Sequence, residues 1–394
     1  MKCIIRQYKL SGGAPRSLLE HIKVLKLLGF DEIICMATEG EKDLYSKYLD
    51  EVSEVIIRNS LSFLWTEKKY KAVYEELKWE YGYIKNESPD LVIALGEIDG
   101  ALYSNFCHQL GIPLIIYIAG GDLTANEKVI DLWKYCEVIC FSEENADIIK
   151  KHFNENHLNV ISNRINTTIL FQDLENKYTK QQSEINFLIS SRLDKDKMSS
   201  IYSFLNMLKM SNLDNIDINI HVAGDGTQKT KLSEYCNSIS CDSVNICLLG
   251  HLADLTEEFR WAHIIAGKGR SVIEPIMMNR IGCIIGDNSK MSFCKTRTFD
   301  NLYHYNFAGR NIENPSTQND LQDVISLICT GEINIEEILD ISSKTRQYYS
   351  TDYLKEKVER VLDKARINEP TGKHPYLLRQ FFLLIIKKAL GKLK

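Results

Sequence analysis

The stretch Ile264-Ile-Ala-Gly-Lys-Gly-Arg-Ser-Val-Ile-Glu-Pro-Ile-Met-Met-Asn-Arg-Ile-Gly-Cys-Ile-Ile285 decides how this chain folds. A short apolar run, Ile264 to Ala266, passes through a glycine-punctuated loop into a helical segment, and a second apolar run follows at Gly282 to Ile285. Two short strands joined through a helix run parallel, since a tight hairpin can only reverse the chain. The same rhythm continues upstream, in the runs Ile185 to Ser190, Asp217 to Ala223 and Val244 to Leu249. Further back it recurs in Cys3 to Gln7, Glu32 to Ala37, Leu91 to Leu95, Leu114 to Ile118, Val138 to Cys140 and Leu158 to Ile161. Segments such as Ser17 to Leu28 and Thr66 to Lys85 are long enough to be crossover helices. Alternating strands and helices predict an α/β protein with parallel sheets.

The chain has 394 residues, more than one ordinary core takes up, so two Rossmann-like domains facing a central cleft are expected. Residues 172–184 are polar, with little to bury, and read as the linker. This gives a first domain over 1–171 and a second over 185–345. A helical segment over 346–373 is then expected to cross back to the first domain, followed by a basic, apolar tail over 374–394. Segments near Leu321 to Cys329 and Thr351 to Ala365 are polar on one face and pack outside a sheet or cross back.

Hydrophobic residues at 44% and charged residues at 26% are ordinary for a folded domain. A net charge of -5 excludes a protein built mainly to hold nucleic acid, which needs a basic surface. The 11 cysteines are scattered without paired CxxC clusters, which speaks for reduced thiols rather than a zinc site, and no metal is expected. The opening residues lack the pattern of a secretory signal, and no apolar run approaches the ~20 residues of a membrane span, so a cytoplasmic location is expected. From Leu377 to Lys394 basic residues interleave with bulky apolar ones. That pattern suits an anionic membrane surface, at the inner face of the plasma membrane, and equally a terminal helix packed on the first domain with snorkelling lysines.

In parallel α/β domains ligands bind beyond the carboxyl ends of the strands, which directs attention to the residues just after each run. After Ile185 to Ser190, Arg192 stands at the strand end and Lys197 near a helix start. Two cations and a helix N-terminus can grip a diphosphate and offset the charge of a departing one, although a solvated charged loop has the same composition. Gly224 and Gly226 permit close backbone approach after the next strand, and Leu249 with Gly250 can offer main-chain groups to a base. The loop Gly267, Lys268, Gly269, Arg270, Ser271 can turn backbone amides toward a pyrophosphate or sugar. Ser271 and Glu274 match a capping box, while Glu274 can equally accept ribose hydroxyls. In the first half, Gly13 lies in a glycine turn after the opening strand. Asp122, after Gly120-Gly121, can meet an acceptor hydroxyl or cap a helix.

In this order the segments resemble glycosyltransferase family 4, a GT-B family, along nearly the whole chain. Ser190-Ser-Arg-Leu-Asp-Lys-Asp-Lys197 is similar to the family's phosphate-binding segment, and Gly224-Asp-Gly226 to its second-strand turn. Leu248-Leu-Gly250 resembles its base-binding strand end, and Gly267 to Ile285 its donor loop, helix and following strand. Gly12-Gly13 and Ser162-Asn-Arg-Ile-Asn166 resemble first-domain segments. Two positions depart from the pattern. The first of two donor-loop glutamates corresponds to Ala266, and a histidine before the acceptor loop to Ala119; Gly267-Lys-Gly-Arg-Ser271 with Asn306-Phe-Ala-Gly-Arg310 resembles a subgroup whose basic loop accompanies the missing glutamate.

The resemblance implies a retaining, metal-independent transfer from a UDP- or GDP-linked sugar, without a cofactor, to a cell-surface polysaccharide or lipid-linked glycan. Arg192, Lys197 and backbone amides stabilise the leaving group, with Lys268 and Arg270 as added phosphate contacts. Asp194-Lys-Asp196 matches a short metal motif of another glycosyltransferase fold, but it sits inside the charged loop. The alternatives are a non-catalytic GT-B partner subunit, motivated by Ala266 and Ala119, and a sugar-nucleotide epimerase.

Overall fold

A computed structural model of the protein describes residues 1–7, 14–38, 51–61, 64, 67–119, 123, 127–133, 136–162, 165–166, 178, 180–211, 216–252, 254–286 and 289–367. The chain divides into two compact units, one comprising Met1–Arg164 and Thr351–Lys394, the other Ile165–Ser350.

The first unit holds β1 (Lys2–Gln7), β2 (Glu32–Thr38), β3 (Glu54–Arg58), β4 (Leu91–Leu95), β5 (Leu114–Ile118), β6 (Glu137–Cys140) and β7 (Leu158–Val160), in the order β3-β2-β1-β4-β5-β6-β7, with every pairing parallel. Its described helices are α1 (Ala14–Leu27), α2 (Tyr70–Glu87), α3 (Glu97–Leu110), α4 (Glu127–Ile130) and α5 (Glu143–Ile149), the last capped by the Ser142 hydroxyl accepting from Asn145 N–H. Both faces of the sheet are covered, which is why β4 and β5 read as unbroken apolar runs. Ile4, Val92 and Ile116 face one core layer with Leu77 and Leu102, and Ile5, Ile93 and Ile115 face the other with Val24 and Leu25.

The second unit holds β8 (Glu184–Ser190), β9 (Asp217–Ala223), β10 (Val244–Gly250), β11 (Ile264–Gly267), β12 (Ile281–Ile285) and β13 (Met291–Phe293), in the order β10-β9-β8-β11-β12-β13. Only the β12–β13 pairing is antiparallel. Around this sheet lie α6 (Lys195–Met210), α7 (Lys229–Ile239), α8 (Thr256–Trp261), α9 (Arg270–Met277), α10 (Thr296–His304), α11 (Gln318–Thr330) and α12 (Ile335–Tyr349). A reciprocal Thr317–Asp320 capping box starts α11, and Gly331 in the left-handed region ends it. From α11, Leu321, Val324, Ile325 and Ile328 join the core of this unit. The following helix, α13 (Thr351–Ile367), belongs to the first unit, where Leu354, Val358, Val361 and Leu362 pack with Ile5 and Ile139.

Of residues 172–184, the structure describes 178 and 180–184. Tyr178 is fully buried in the second core, its hydroxyl donating to the His263 carbonyl at 2.6 Å and accepting from Ile281 N–H at 3.2 Å. One aromatic ring in a polar stretch thus satisfies backbone groups at the ends of two strands. Glu184 is already in β8, and the unit boundary lies at residues 164/165. Two strands, β3 and β13, have no counterpart among the expected runs.

Candidate functional site

In the second sheet the chain winds from β8 outward through β9 to β10, then returns to the other side of β8 with β11. The winding reverses between β8 and β11, and at such a switch point the loops leaving neighbouring strands part and leave a crevice. The two segments that carried the sequence argument, Ser190 to Lys197 and Gly267 to Glu274, flank this point.

The loops on the β9 and β10 side interlock. Ser191 N–H donates to the Ala223 carbonyl at 3.1 Å and Leu193 N–H to that of Asp225 at 2.9 Å, while Gly224 N–H donates to the Gly250 carbonyl at 2.7 Å. A Cβ on Gly224 would stand 1.8 Å from the Ser191 carbonyl oxygen, so only glycine allows the two turns to meet this closely. The pairing of β9 and β10 shifts register between Leu248 and Gly250, a bulge that leaves Leu249 out of the ladder at the carboxyl end.

Arg192 and Lys197 sit at the start of α6, each beside an acidic neighbour. The Arg192 side chain is 58% exposed, and its Nη1 donates to Asp194 Oδ2 at 3.3 Å. Lys197 Nζ is 3.0 Å from Asp196 Oδ2, and that hydrogen bond, supported by the ammonium charge, holds the Asp196 carboxyl below its ordinary range. Arg192 is therefore solvated and Lys197 half-buried, each paired with a neighbouring carboxylate. Among the described residues no group of three His, Cys, Asp or Glu side chains is placed to hold a metal ion, and the Asp194-Lys-Asp196 pair is occupied by these cations.

On the other side of the switch point, a Cβ on Gly267 would meet Ser271 Oγ at 2.5 Å and the Ser190 carbonyl oxygen at 2.9 Å. The Ser271 hydroxyl accepts from Lys268 N–H at 3.2 Å, with the Lys268 carbonyl at 3.0 Å and that of Ser190 at 3.3 Å within reach of its proton. The loops after β8 and β11 are thus held together through one serine. Gly269 has φ +59°, and its N–H donates to the Phe307 carbonyl at 2.7 Å. Phe307 is itself fully buried at φ +53°, next to Asn306 at φ +50°. A bulky residue in that region is strained, and here the strain turns a carbonyl onto the loop after β11. Asn306 is fixed in turn by Tyr349, whose hydroxyl donates to Asn306 Oδ1 at 3.0 Å.

The capping box expected from Ser271 and Glu274 is not what the structure contains. Gly269 is the N-cap of α9, so Ser271 falls inside the first turn and bonds back to Lys268. The helix begins early because the positive φ of Gly269 turns the chain before Ser271 is reached. Glu274 instead pairs one helical turn back with Arg270, whose Nε and Nη2 both donate to Glu274 Oε1 at 2.8 and 2.7 Å, with side chains only 13% and 4% exposed. Arg270 does not face solvent. Ala266 is fully buried in β11 between Ile189 and Cys283.

In the first unit, Gly13 and Asp122 lie outside the described residues, as do Gly12, Gly120 and Gly121. Ala119 is exposed, and its carbonyl accepts from Asn145 Nδ2 at 3.4 Å. The residues expected over 374–394 also lie outside. Among the described residues no helix is long and apolar enough to cross a membrane.

No protein-family model matches the chain, and no curated protein matches it in sequence. Solved structures do. A glycosyltransferase from Rickettsia africae superposes with a TM-score of 0.67 at 16% identity, over 92% of this chain and 98% of the other. HepE from Anabaena in complex with UDP gives 0.65 at 12% identity, over 92% and 100%. The lipopolysaccharide outer core galactosyltransferase WaaB gives 0.62 at 14%, also over 92% and 100%. The chain has the GT-B fold. Its two parallel sheets, expected from the strand rhythm alone, are those of GT-B glycosyltransferases, and each likeness runs nearly the full length of both chains.

Proposed function

We propose that this GT-B protein is a glycosyltransferase that binds a nucleotide sugar on its second unit and passes the sugar to a glycan or lipid-linked acceptor. The observation that carries the reading is the joining of Ser190 to Lys197 and Gly267 to Glu274 at the β8–β11 switch point, through the Ser271 hydroxyl. A site so built brings the N-termini of α6 and α9 and several cations to one crevice, which suits a diphosphate. In the transfer the bond between the sugar's anomeric carbon and the diphosphate oxygen breaks, a bond to an acceptor hydroxyl oxygen forms, and the acceptor's proton passes to the departing diphosphate. Charge accumulates on the departing diphosphate, where Arg192 and Lys197 can close on it by exchanging Asp194 and Asp196 for phosphate oxygens. The complexes of HepE with UDP and with UDP-glucose support a uridine-linked donor. Retention of anomeric configuration and a site at the inner face of the plasma membrane complete the reading, by resemblance to glycosyltransferase family 4.

Titration of UDP and GDP into the purified protein tests it. Arg192→Ala is expected to weaken the diphosphate that binds by about one to two orders of magnitude, the scale of one or two charge-assisted hydrogen bonds. An unchanged affinity in folded protein removes Arg192 from the site. A second reading, a non-catalytic GT-B subunit, is favoured by Ala266, a buried apolar residue in β11 where the resemblance has a glutamate. It predicts binding without turnover, so diphosphate release from a panel of nucleotide sugars with a membrane extract eliminates it.

A further inference from the structure

Resting on that donor-site reading for its ligand, we propose that Tyr349 is a positioning residue for the loop after β11, and that it couples binding at this loop to the place where the chain enters and leaves the second unit. Tyr349 is the last residue of α12 and is fully buried. Its hydroxyl donates to Asn306 Oδ1 at 3.0 Å, while its carbonyl accepts from Ile165 N–H at 2.8 Å. Ile165 and Ser350 are the first and last residues of the second unit, and they pair as an isolated parallel bridge beside that bond. Asn306 leads directly into Phe307, whose carbonyl accepts from Gly269 N–H at 2.7 Å. An unbroken path of hydrogen bonds and covalent chain thus runs from the ends of the unit to the N-cap of α9.

The strain at Asn306 and Phe307 makes the Tyr349 hydroxyl matter. Two successive residues at positive φ persist only where their surroundings over-determine them. The N–H groups of Asn306 and Phe307 donate to the Tyr303 and Leu302 carbonyls, both at 2.7 Å, which closes the turn onto its own helix α10. The Tyr349 hydroxyl ties the same turn to α12, and the Tyr349 and Phe307 rings meet edge to face at 6.0 Å. Further back along α12, the Ser342 hydroxyl and Arg346 Nε and Nη2 donate to the Met277 carbonyl at 3.1, 3.0 and 2.7 Å. One helix therefore holds both ends of α9, Met277 directly and Gly269 by way of Asn306 and Phe307. Energetic coupling travels along such contiguous buried contacts, so a ligand that settles the loop also settles Ile165.

The test is amide hydrogen exchange, followed by NMR on the full chain isotope-labelled at glycine and isoleucine, together with calorimetric titration of UDP and GDP. Tyr349→Phe keeps the ring and removes the hydroxyl. It is expected to speed exchange of the Gly269 amide about 10-fold in the ligand-free protein, the scale of one lost buried hydrogen bond, and to leave Ile220, inside β9, unchanged. Whichever diphosphate binds is expected to slow exchange at Ile165 in wild type but not in Tyr349→Phe, and to bind the variant several-fold more weakly. If Tyr349→Phe does not fold, Asn306→Gly, which keeps the positive φ and removes the acceptor, is read in the same way. Unchanged exchange at Gly269 overturns the inference and leaves the donor-site reading standing. So does equal acceleration at Ile220, which makes the hydroxyl a general support of the fold, and so does an Ile165 amide indifferent to a diphosphate that binds. Wild-type protein that binds neither diphosphate overturns the donor-site reading and the coupling together.

Discussion

β1 and β8 occupy the same place in their sheets, each between its second strand and the strand that reverses the winding, and each carries an arginine near its carboxyl end. The two arginines are treated in opposite ways. Arg6 lies within β1 and is completely buried, with Nη2 donating to the Asn59 carbonyl and standing 3.1 Å from Glu80 Oε1. Glu80, on α2, also accepts the Tyr103 hydroxyl from α3. Arg192 comes two residues after β8, is mostly exposed, and among the described residues pairs with its neighbour Asp194. The first unit uses its strand-end charge as internal architecture. The second leaves its charge at the surface, and a single sheet topology accommodates both because side-chain direction, not strand order, sets the environment.

The largest effect that can break this comparison is on stability. Replacing Arg6 by Met is expected to destabilise the protein by about 3 kcal/mol, because it strands a carboxylate in the core, and the double variant Arg6→Met/Glu80→Met to cost clearly less than the two single changes added together. Urea unfolding of the four proteins measures it, and strict additivity shows that the pair is not coupled.

A second effect, of similar size, is a pH dependence. Burial pushes the Glu80 carboxyl up to about 7 against an ordinary 4.5, with Arg6 and the Tyr103 hydroxyl opposing the rise. Burial alone lowers Arg6, but the charges of Glu80, Tyr103, Asp99 and Glu76 raise it overall, so it remains cationic. A carboxyl that keeps its proton longer when folded binds more protons than the unfolded chain between these two values. Its contribution to stability therefore falls as the pH rises from about 4.5 to about 7, by roughly 3 kcal/mol, and changes no further above that. Wild type and Glu80→Gln are expected to lie close together at low pH, where Gln mimics the protonated carboxyl, and to separate in unfolding curves as the pH rises through that window, with wild type losing more; a constant difference contradicts the assignment.

The smallest effect belongs to the exposed arginine. Asp194→Asn is expected to alter stability by no more than about 0.5 kcal/mol, since solvated pairs contribute little, while raising diphosphate affinity by freeing Arg192. A large loss of stability shows that the pair is structural after all.

How much of this was legible in the sequence follows from where each residue ends up. Strands β4 and β5 were legible to the residue, because burial on both faces forces an unbroken apolar run. β3 was not, because its Glu54-Val-Ile-Ile-Arg58 is half-exposed at the sheet edge, and β13 is three residues long. At the candidate site, position just after the strands is what singles out Arg192, Lys197 and the glycines. The partner of Glu274 was misjudged, because a capping box and an Arg–Glu pair one turn apart both fit Gly-Arg-Ser-Val-Ile-Glu, and only the φ of Gly269 chooses between them. The Arg6–Glu80–Tyr103 cluster gave no local signal, since its members meet only when α2 and α3 close over β1. Tyr178 shows the converse error, a single buried ring inside a stretch whose composition is polar.

The return of α13 to the first unit has a consequence for synthesis. Leu354, Val358, Val361 and Leu362 complete the layer that Ile5, Ile93 and Ile139 begin, yet the ribosome makes them after the whole of the second unit. During translation the second unit can close as soon as its own contiguous residues emerge, whereas the first must wait with an apolar flank uncovered until residue 367 is out. The unit begun first is therefore finished last, and its nascent form is the species that a chaperone has most reason to meet.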